Sequence, residues 1–364
     1  MIGIIGAGPG GLVAAVALRR AGFEVEVLER TPEAREVGAG LTLQVNAMRM
    51  LDATGLGEAV EAEGWVLGGL QLTRPDGRVL VAMPSNRERP GVAIHRGALS
   101  RVLIDALPAG TVRYGKAVTA VTPDGTVTFA DGSNQSYDLV VGADGIHSAV
   151  RTALFGEQRL RDSGTICWRG LARLESEAPL TERWGLGLRF GTVPVAKKLV
   201  YWFACSKSPR LRHGAGIAEL RDGFSDFEPE VDAVLAATPR ALQHDLYDLA
   251  PLRQWTKGRV TLLGDAAHAM TPNLGQGAGQ AIEDGVVLAH ALATHGMDQG
   301  LVAYEAVRKP RARSFVQRSW WTGQVAQWSN PVACWARNQL LAWTPSFLVQ
   351  RQMKDDYGVS VPQL

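Results

Sequence analysis

The sequence predicts an α/β fold in which a parallel-sheet domain is interleaved with a mainly β-sheet domain and followed by C-terminal helices. Apolar, β-branched segments at the start of the chain, before Gly142 and at Arg259 to Leu263 each lead into a glycine-containing turn and a helical pattern. Further β-like segments fill the stretch from Thr165 to Arg253. Because pieces of one nucleotide-binding unit lie at the start, the middle and the late third of the chain, the two domains must interleave.

The expected boundaries follow from this interleaving. Residues 1–164 form the first part of the nucleotide-binding domain, with insertions on the side of the second sheet near residues 65–95. Residues 165–253 form the second sheet domain. Residues 254–364 complete the nucleotide-binding domain and add the C-terminal helices.

The first glycine-rich turn has the spacing G-x-G-x-x-G, with Gly6, Gly8 and Gly11 between an apolar strand and a helix. Each glycine has its own steric reason: the first permits the tight turn, the second lets the backbone approach a pyrophosphate, and the third allows close packing of helix and strand. Glu29 ends the next strand and could accept hydrogen bonds from both hydroxyls of an adenosine ribose. This context predicts a Rossmann-like dinucleotide site.

The segment from Gly264 to Gly285 is the second candidate site. A strand delivers the carboxylate of Asp265, Pro272 forces a turn, and a helix with uncapped backbone N–H groups is expected to begin near Gly275. Such a helix end attracts negative charge. The alternative interpretation is a glycine-rich loop that merely joins a core strand to a core helix.

Asp144 lies at the end of another predicted strand, within GADGIHSAVR at Gly142 to Arg151. Ligands of α/β sheets collect at such strand ends. The alternative is an aspartate that caps the following helix.

Composition excludes several classes of function. The chain has 364 residues, 46% of them hydrophobic, with a net charge of +2, and its basic residues are scattered except for short groups such as Arg308 to Arg313. We expect most of these basic residues to form a solvated face, and their scatter makes nucleic acid an unsuitable partner. His147, His268 and His290 are too dispersed to predict a metal site, and His268 is expected to brace the turn after Asp265.

Location and redox chemistry are also constrained. The chain starts directly on its first strand and has no run of about twenty apolar residues, so we expect a cytoplasmic protein without an integral membrane segment. Cys167, Cys205 and Cys334 are far apart in the chain and odd in number. They predict neither a disulfide framework nor a C-x-x-C pair, which excludes the dithiol flavin reductases.

Taken together, the motifs resemble the single-component FAD-dependent aromatic hydroxylases, the para-hydroxybenzoate hydroxylase family that includes salicylate, urate and kynurenine hydroxylases. The resemblance rests on GAGPGGL at Gly6 to Leu12, Glu29 with Arg30, GADGIHSAVR at Gly142 to Arg151, and GDAAHAMTPNLGQGAGQAIED at Gly264 to Asp284. It implies a Rossmann-like FAD-binding domain with a substrate-binding sheet.

The same resemblance implies an activity. NADH or NADPH visits as a transient co-substrate, O2 is consumed, and an aromatic, heteroaromatic or polyene small molecule is hydroxylated or epoxidised through a flavin C4a-hydroperoxide. Reductases and halogenases of the same fold, and a catalytically silent flavin-binding protein, are the alternatives. The chain contains no W-x-W-x-I-P segment of the kind expected in the halogenases.

Residue roles implied by the resemblance concern mainly FAD. The residues expected at FAD, besides those of the first turn and Arg30, are Thr42 with Arg35, Arg96, Val118, Asp144, Asp265, Gly275, Gln276, Gly277, Ala278 and Gly279. For Arg96 the alternative is a surface helix arginine, and for Val118 a core strand residue. Val45 departs from the Pro-Asn pair that the family often shows before a helix here.

Substrate contacts are expected on the second sheet. Arg189 could hold an anionic or oxo-bearing ring by paired hydrogen bonds, Tyr201 could orient it through its phenol, and Pro272 is placed at the catalytic centre. Arg189 and Tyr201 would equally suit an ordinary sheet face. Weaker candidates are Trp168, Arg169 and Trp202.

The C-terminal segment is rich in tryptophan, with residues 320, 321, 328, 335 and 343. We expect these rings to pack in the core. A homodimer surface, a lipophilic substrate and contact with a membrane surface are the alternatives.

Overall fold

The computed structural model describes residues 1–33 and 40–362. The predicted flavin contact at Arg35, and residues 37–39 of the loop before Thr42, lie outside the described residues.

Strands fall into four sheets in the described part of the chain. In chain order they are β1 (Ile2–Ile5), β2 (Val25–Leu28), β3 (Gly40–Leu43), β4 (Trp65–Val66), β5 (Gly69–Thr73), β6 (Val79–Pro84), β7 (Val92–His95), β8 (Val112–Arg113), β9 (Val118–Val121), β10 (Thr126–Phe129), β11 (Asn134–Ser136), β12 (Leu139–Gly142), β13 (Leu160–Ala172), β14 (Leu180–Trp184), β15 (Leu188–Ala196), β16 (Leu199–Ser206), β17 (Ala241–Leu249), β18 (Thr256–Lys257) and β19 (Val260–Leu262).

Helices connect and cover these sheets. They are α1 (Pro9–Arg20), α2 (Val45–Ala53), α3 (Gly57–Ala62), α4 (Arg96–Asp105), α5 (Ala149–Phe155), α6 (Ile217–Gly223), α7 (Pro229–Ala236), α8 (Asp265–His268), α9 (Gly277–Ala326), α10 (Pro331–Ala342) and α11 (Ser346–Tyr357), with a 3₁₀ turn at Pro272–Leu274.

The first sheet has the order β18-β19-β12-β1-β2-β8. Strand β1 pairs in parallel with β12 and β2, and β12 pairs in parallel with β19. Every residue of β1, β12 and β19 is buried, as expected for strands covered on both faces. Because parallel strands end at the same edge, the three predicted motifs after β1, β12 and β19 meet there.

The second sheet has the order β17-β13-β16-β15-β14-β5-β6. Its neighbours are antiparallel except for β14 and β5. Strands β5 and β6, at residues 69–84, come from the early part of the chain where the insertion near 65–95 was expected. Strand β13 already starts at Leu160, a few residues before the expected boundary at 165.

Helix α9 brings the late motif against the first one. Its run from Gly277 to Ala326 is interrupted by a non-helical residue, Gly296, so it consists of two helices across a kink. A Cβ atom added at Gly285 would lie 2.8 Å from the backbone nitrogen of Ala14 in α1. Because Gly285 has no side chain, α1 and α9 can pack closely. Their N-termini point toward one cavity. The helix starts at Gly277, two residues after the predicted position.

Candidate active site

A cavity of about 990 Å³, the central cavity, lies where the two large sheets face each other. Its first wall is the strand-end edge of the parallel sheet together with the start of α9. Its second wall is one face of the antiparallel sheet, and its third wall comes from α10 and α11.

The first wall contains the predicted glycine turn. Gly6 has a φ of +108°, and a Cβ atom added at Gly11 would lie 2.1 Å from the carbonyl oxygen of Gly6. Nothing lies within 4 Å of a Cβ atom added at Gly8, so the backbone there is open to a ligand. Helix α1 begins at Pro9 without a side-chain cap and without an acid in its first turn. Its free N–H groups therefore suit a pyrophosphate.

Glu29 stands beside this turn. Its carboxylate accepts hydrogen bonds from the backbone nitrogens of Ala7 and Thr31, both at 2.9 Å. Two carboxylate oxygens have about four acceptor positions, so acceptor capacity remains for ribose hydroxyls. Arg30, next to it, is exposed.

Asp265 and Arg96, which are far apart in sequence, both line the central cavity. Burial within the protein raises the pKa of the Asp265 carboxyl, while the charges of His268 and Arg96 act against that rise. The electrostatic effect of Arg96 on Asp265 means that α4 presents a cation to the acid at the start of α8. The two predicted flavin contacts thus lie on one wall.

The turn between Pro272 and α9 has the predicted form. Pro272 starts a 3₁₀ turn, and its carbonyl oxygen accepts a hydrogen bond from the backbone nitrogen of Gly275 at 2.9 Å. Gly275 has a φ of +62°. A Cβ atom at Gly275 would lie 3.1 Å from Oγ1 of Thr42, so these two predicted residues are adjacent. Nothing lies within 4 Å of a Cβ atom at Gly277. Helix α9 has no side-chain cap here, which leaves its N–H groups for an anionic group.

Asp144 has a structural role at the start of α5. Its carboxylate accepts hydrogen bonds from the hydroxyl of Ser148 at 2.5 Å and from the backbone nitrogen of Val150 at 3.1 Å. Ser148 is the helix cap, and Asp144 reinforces it. Its neighbours Gly145 and Ile146 line the central cavity, whereas a contact of Asp144 itself with FAD stays a prediction.

Val118 begins β9 of the small three-stranded sheet and packs partly against the large apolar core. It is not among the residues that line the central cavity. Its predicted place beside the adenine therefore stays a prediction.

A buried polar network lies under the first wall. His268 Nε2 is 2.6 Å from Oδ2 of Asp284, the same oxygen accepts from the backbone nitrogen of Gly264 at 2.9 Å, and Arg308 Nε donates to Oδ1 at 2.7 Å. Burial would raise the pKa of Asp284, but His268 and Arg308 outweigh it and hold that pKa at about 2. This network holds Gly264, immediately before Asp265, whereas His268 was expected to brace the turn after Asp265.

The same network reaches the start of α9. Glu283 accepts hydrogen bonds from Arg308, from Arg311 Nε at 2.7 Å and from Asn46 Nδ2 at 2.5 Å. Asn46 also donates to Oε1 of Gln276 at 2.9 Å. The side-chain amide of Gln276 is therefore hydrogen-bonded within the protein. Asn46, the residue after Val45, thereby fixes the glycine-rich turn.

Arg308 is an exception to the solvated face expected for most of the basic residues. Its side chain is 1% exposed because the adjacent buried acids Glu283 and Asp284, in the first part of α9 before the kink at Gly296, need a cation. The sequence signal was present in the adjacent acids of GQAIEDG, whose helical spacing places them on the buried side. The sequence did not show which residue of the basic group at Arg308 to Arg313 pairs with these acids.

The second wall is a ladder of side chains across the antiparallel sheet. Strand pairing places His244, Cys167, Cys205, Arg189 and Trp184 side by side in one row. Directly opposite residues on neighbouring strands point to the same face, and all five line the central cavity. Cys167 and Cys205 are therefore neighbours, which their distance in sequence did not indicate.

Two further rows complete this wall. The next row contains Arg169, Phe203 and Glu182, and the third is apolar apart from Tyr201. Burial raises the pKa of the Tyr201 phenol, while Arg169 acts against that rise. The phenol is therefore neutral at physiological pH and able to donate a hydrogen bond.

Arg189 reaches the central cavity with much of its guanidinium already bonded. Its Nε donates to Oε1 of Glu182 at 2.6 Å, and a terminal nitrogen donates to Oδ1 of Asn273 at 2.6 Å. The charge also lies over the ring of Trp184, 5.6 Å from its centroid. Arg189 thereby ties the antiparallel sheet to the turn that follows Pro272.

Trp168 and Trp202, the weaker substrate candidates, belong to the opposite face of the sheet. They pack in a buried cluster with residues of α6 and α7 such as Leu220 and Leu235. The indole of Trp202 donates to Oγ1 of Thr238 at 2.7 Å. They are core residues, and Arg169 is the member of that group that lines the central cavity.

The third wall is largely apolar. The apolar residues at this end of the central cavity are Leu70, Leu72, Val81, Met83, Leu341, Leu348, Val349 and Met353. Val81 and Leu341 pack against the buried cluster around Leu72 and Trp184, which joins β5 and β6 to α10.

The C-terminal tryptophans are mostly on the surface, so the expected core packing was wrong. Trp321, Trp335 and Trp343 are 67%, 64% and 75% exposed, and Phe347 beside them is 63% exposed. We call these four residues the aromatic surface. Helices α10 and α11 turn their other sides toward the protein, where Cys334 and Arg337 are buried.

Two negative findings concern the described ranges 1–33 and 40–362. They contain no group of three or more His, Cys, Asp or Glu side chains that could hold a metal ion. No helix in those ranges is long and apolar enough to cross a membrane.

The first wall fits FAD. It has two uncapped helix N-termini for phosphate and flavin oxygens, open backbone at Gly8 and Gly277, and a carboxylate at Glu29. The two helix starts come from distant parts of the chain and face one cavity, and Glu29 is held next to the first turn by the backbone of Ala7, an arrangement that suits a large dinucleotide.

Comparisons with known proteins agree with this geometry. A family model described as an FAD binding domain matches residues 1–198 and 233–319. The aurachin C monooxygenase/isomerase of Stigmatella aurantiaca is 40% identical over 354 residues, covering 93% of this chain and 92% of that protein. The 2-heptyl-3-hydroxy-4(1H)-quinolone synthase of Pseudomonas aeruginosa is 35% identical over 360 residues, covering 94% of each.

Solved structures show the same fold. The Klebsiella pneumoniae protein HpxO complexed with FAD and uric acid is 29% identical, with a TM-score of 0.90 over 98% of this chain and 96% of that one. The C-terminal helices α10 and α11, which form the third wall, lie beyond the residues matched by the family model.

Proposed function

We propose that this chain, which belongs to the FAD-dependent monooxygenases of the FAD-binding domain family, oxygenates a heteroaromatic ring that carries a long apolar tail. FAD with NADH or NADPH supplies the reducing equivalents, and we propose O2 as the source of the oxygen atom. One atom of O2 enters the substrate and the other leaves as water. The substrate class we favour is a 2-alkyl-4(1H)-quinolone.

The apolar end of the central cavity carries this proposal. Eight aliphatic or methionine side chains from β5, β6, α10 and α11 contribute to the lining there, together with polar residues of α11 such as Gln352 and Asp356. A small polar aromatic acid would leave this end unfilled, whereas an alkyl tail would bury its surface there. Burial of apolar surface contributes about 25 cal/mol per Å².

Names of two relatives support the same class. One is named for the synthesis of 2-heptyl-3-hydroxy-4(1H)-quinolone, a bicyclic ring with a seven-carbon chain, and the other for aurachin C. Both are similar to this chain over more than nine tenths of its length.

The ring would lie against the polar rows of the second wall. Tyr201 has no hydrogen-bond partner among the described residues, so its phenol is available to a ring carbonyl. Arg169 stands beside it as the nearest cation that affects its pKa. Arg189 retains only the N–H groups not used by Glu182 and Asn273, and we propose that it contacts the substrate through these while it holds the turn.

The first wall would hold the flavin through the predicted residues. Gly275 to Gly279 and Thr42 would cover the isoalloxazine, with the N-terminus of α9 toward the oxygen that gains negative charge on reduction. Pro272 would lie at the meeting point of flavin and substrate, because it lines the central cavity next to Asn273. The division into residues 1–164, 165–253 and 254–364 belongs to this proposal and is supported by the two separate sheets.

The experiment is NAD(P)H oxidation by the purified yellow protein, with hydrogen peroxide measured in parallel. We expect 2-heptyl-4(1H)-quinolone to stimulate oxidation with little peroxide and to gain one oxygen atom by mass spectrometry. Each methylene removed from the tail should weaken apparent affinity about fourfold, because each contributes about 0.8 kcal/mol when buried. Equal responses to the heptyl and methyl compounds would contradict a tail-binding end.

A matched pair of variants localises the tail. Val81→Trp fills the apolar end of the central cavity and should abolish the preference for long tails while the methyl compound still stimulates. Val79→Trp introduces the same ring two residues earlier on β6, where the side chain is 47% exposed, and should leave the preference intact. A protein that is yellow but stimulated by no quinolone, phenol or N-heterocycle would favour the reductase, halogenase or silent alternatives.

We also propose that the protein forms a homodimer through the aromatic surface and works in the cytoplasm. Exposed apolar patches mark interaction sites, and Trp321, Trp335, Trp343 and Phe347 are large exposed apolar side chains of the C-terminal helical segment. Light scattering should give twice the chain mass of 39.1 kDa, and Trp335→Glu with Trp343→Glu should give the monomer. A wild-type monomer that binds lipid vesicles would instead favour a membrane contact.

A further inference from the structure

Two thiols lie directly opposite each other in the wall of the central cavity. Cys167 on β13 and Cys205 on β16 are register partners in an antiparallel ladder. Both are buried, both line the central cavity, and neither is in a disulfide. The third cysteine, Cys334 on α10, is elsewhere, and its thiol lies 3.1 Å from the carbonyl oxygen of Trp328.

The spacing of such partners suits a disulfide. Residues directly opposite each other in an antiparallel pair have Cα atoms about 4.5–5.5 Å apart. Disulfides span Cα separations of about 4.4–6.8 Å. Because the two side chains also share one face of the sheet, closing the bond needs only side-chain rotation or a small strand adjustment.

The two thiols differ in reactivity. The hydrogen bond with Cys205 holds the pKa of Cys167 well below its ordinary value, and His244 and Arg169 lower it further against the effect of burial. The same hydrogen bond and burial raise the pKa of Cys205. Since the thiolate is the nucleophile, Cys167 is the attacking sulfur and Cys205 the resolving one.

An oxidant can form in the same cavity. An FAD-dependent monooxygenase that reduces O2 without transferring oxygen releases hydrogen peroxide, and with FAD on the first wall that peroxide would form in the cavity that Cys167 and Cys205 line. We propose that Cys167 and Cys205 are a peroxide-oxidisable dithiol that closes to an intrachain disulfide inside the substrate cavity.

The chemistry balances in two steps. The Cys167 sulfur attacks one peroxide oxygen, the O–O bond breaks, and the departing hydroxide takes a proton to become water, which leaves a sulfenic acid. The Cys205 sulfur then attacks the Cys167 sulfur, the S–O bond breaks, and a second water leaves with the remaining proton. Two thiols and one peroxide thus give one disulfide and two waters.

The disulfide would change the substrate wall. Arg169 lies two residues after Cys167 on the same face of β13, and a negatively charged Cys167 sulfur stabilises its guanidinium. A disulfide carries no negative charge, so oxidation would remove this stabilising charge from beside the Arg169 guanidinium. The dithiol therefore couples oxidation to the electrostatics of the ring-binding rows.

The test is a titration of the purified flavoprotein with hydrogen peroxide, followed by thiol counting after denaturation and by intact mass. We expect the thiol count to fall from three to one and the mass to fall by about two units, the two lost hydrogens. Digestion without reduction should yield the peptide containing Cys167 linked to that containing Cys205. Three persisting thiols, a linkage to Cys334 or a linkage between chains would overturn the proposal.

Three variants assign the roles. Cys334→Ser should lose both of its thiols, Cys205→Ser should gain oxygen at Cys167 and form no disulfide, and Cys167→Ser should react much more slowly than the wild type. Equal reaction rates for Cys167→Ser and wild type would refute the assignment of the attacking sulfur. If a serine variant fails to fold, the linked peptide from the wild type still decides whether the disulfide forms.

A second arm uses peroxide made by the protein itself. Incubation with NADH or NADPH in air, without substrate, should produce the same linked peptide. Because added peroxide needs no turnover, the first arm stands even if the proposed quinolone substrate is wrong. Two results together would overturn the proposal. They are linkage with NAD(P)H that persists when catalase is present, and no linkage with added peroxide, because free peroxide would then not be the oxidant.

Discussion

Asp265→Ala protein is expected to lose most of its FAD during gel filtration. The carboxylate follows β19, lines the central cavity and has the charge of Arg96 nearby, so it is placed to accept a hydrogen bond from the flavin chain. Hydrogen bonds to charged groups contribute about 1.5–3 kcal/mol, which corresponds to about 10- to 100-fold weaker binding. Fluorescence titration of the apoprotein with FAD measures the dissociation constant.

Two comparisons make this result specific. Asp265→Asn keeps an acceptor oxygen and should lose less affinity than Asp265→Ala. Asp298→Ala removes an exposed acid on α9 and should bind FAD like the wild type. Full retention of FAD by Asp265→Ala, with an unchanged dissociation constant, would count against Asp265 as a flavin contact.

Arg308→Met is expected to lower the free energy of unfolding by about 3–5 kcal/mol, because removal of one partner leaves buried charges uncompensated. Arg308 donates to Asp284 at 2.7 Å and also binds Glu283, and both acids are fully buried. Their burial makes water a poor substitute for the lost guanidinium. Denaturant unfolding followed by circular dichroism measures the change.

Arg313→Met is the matched control, since Arg313 lies on the same helix but is exposed. It should change stability by less than about 0.5 kcal/mol. Adding Glu283→Gln to Arg308→Met should restore part of the loss, because one uncompensated charge is removed. A loss below about 1 kcal/mol for Arg308→Met would mean that the network has other sources of charge compensation.

The first wall of the central cavity was largely predictable because the groups proposed to hold FAD there are mainly backbone features. Gly6, Gly8 and Gly11 are identified by spacing, and the structure gives each the geometry that the spacing requires. Pro272 and Gly275 likewise define a turn by their own conformational limits. The pairing of Thr42 with Gly275 depends on a strand and a turn more than two hundred residues apart, and only the family resemblance pointed to it.

Side-chain partners were much less predictable. Asp144 was expected either to face a ligand or to cap a helix, and its oxygens accept hydrogen bonds from Ser148 and Val150 at a helix start, while the ligand contact stays a prediction. Arg308 belongs to a basic group expected to be mostly exposed to solvent, yet it is buried in the polar network under the first wall. In both cases the choice depends on which group is nearest in space, and sequence spacing contains that information only within one helix or strand.

The sequence by itself determined the nucleotide-binding fold, because short-range steric rules and motif spacing specify its strand, turn and helix units, and the resemblance of its motifs to the aromatic hydroxylases added FAD and the class of reaction. The tertiary structure alone decided which side chains stand together on the second wall of the central cavity. Strand pairing set His244, Cys167, Cys205 and Arg189 in one row, although they come from four strands spread over 78 residues, 167 to 244. Such registers depend on which strands become neighbours, which is a property of the whole packed chain.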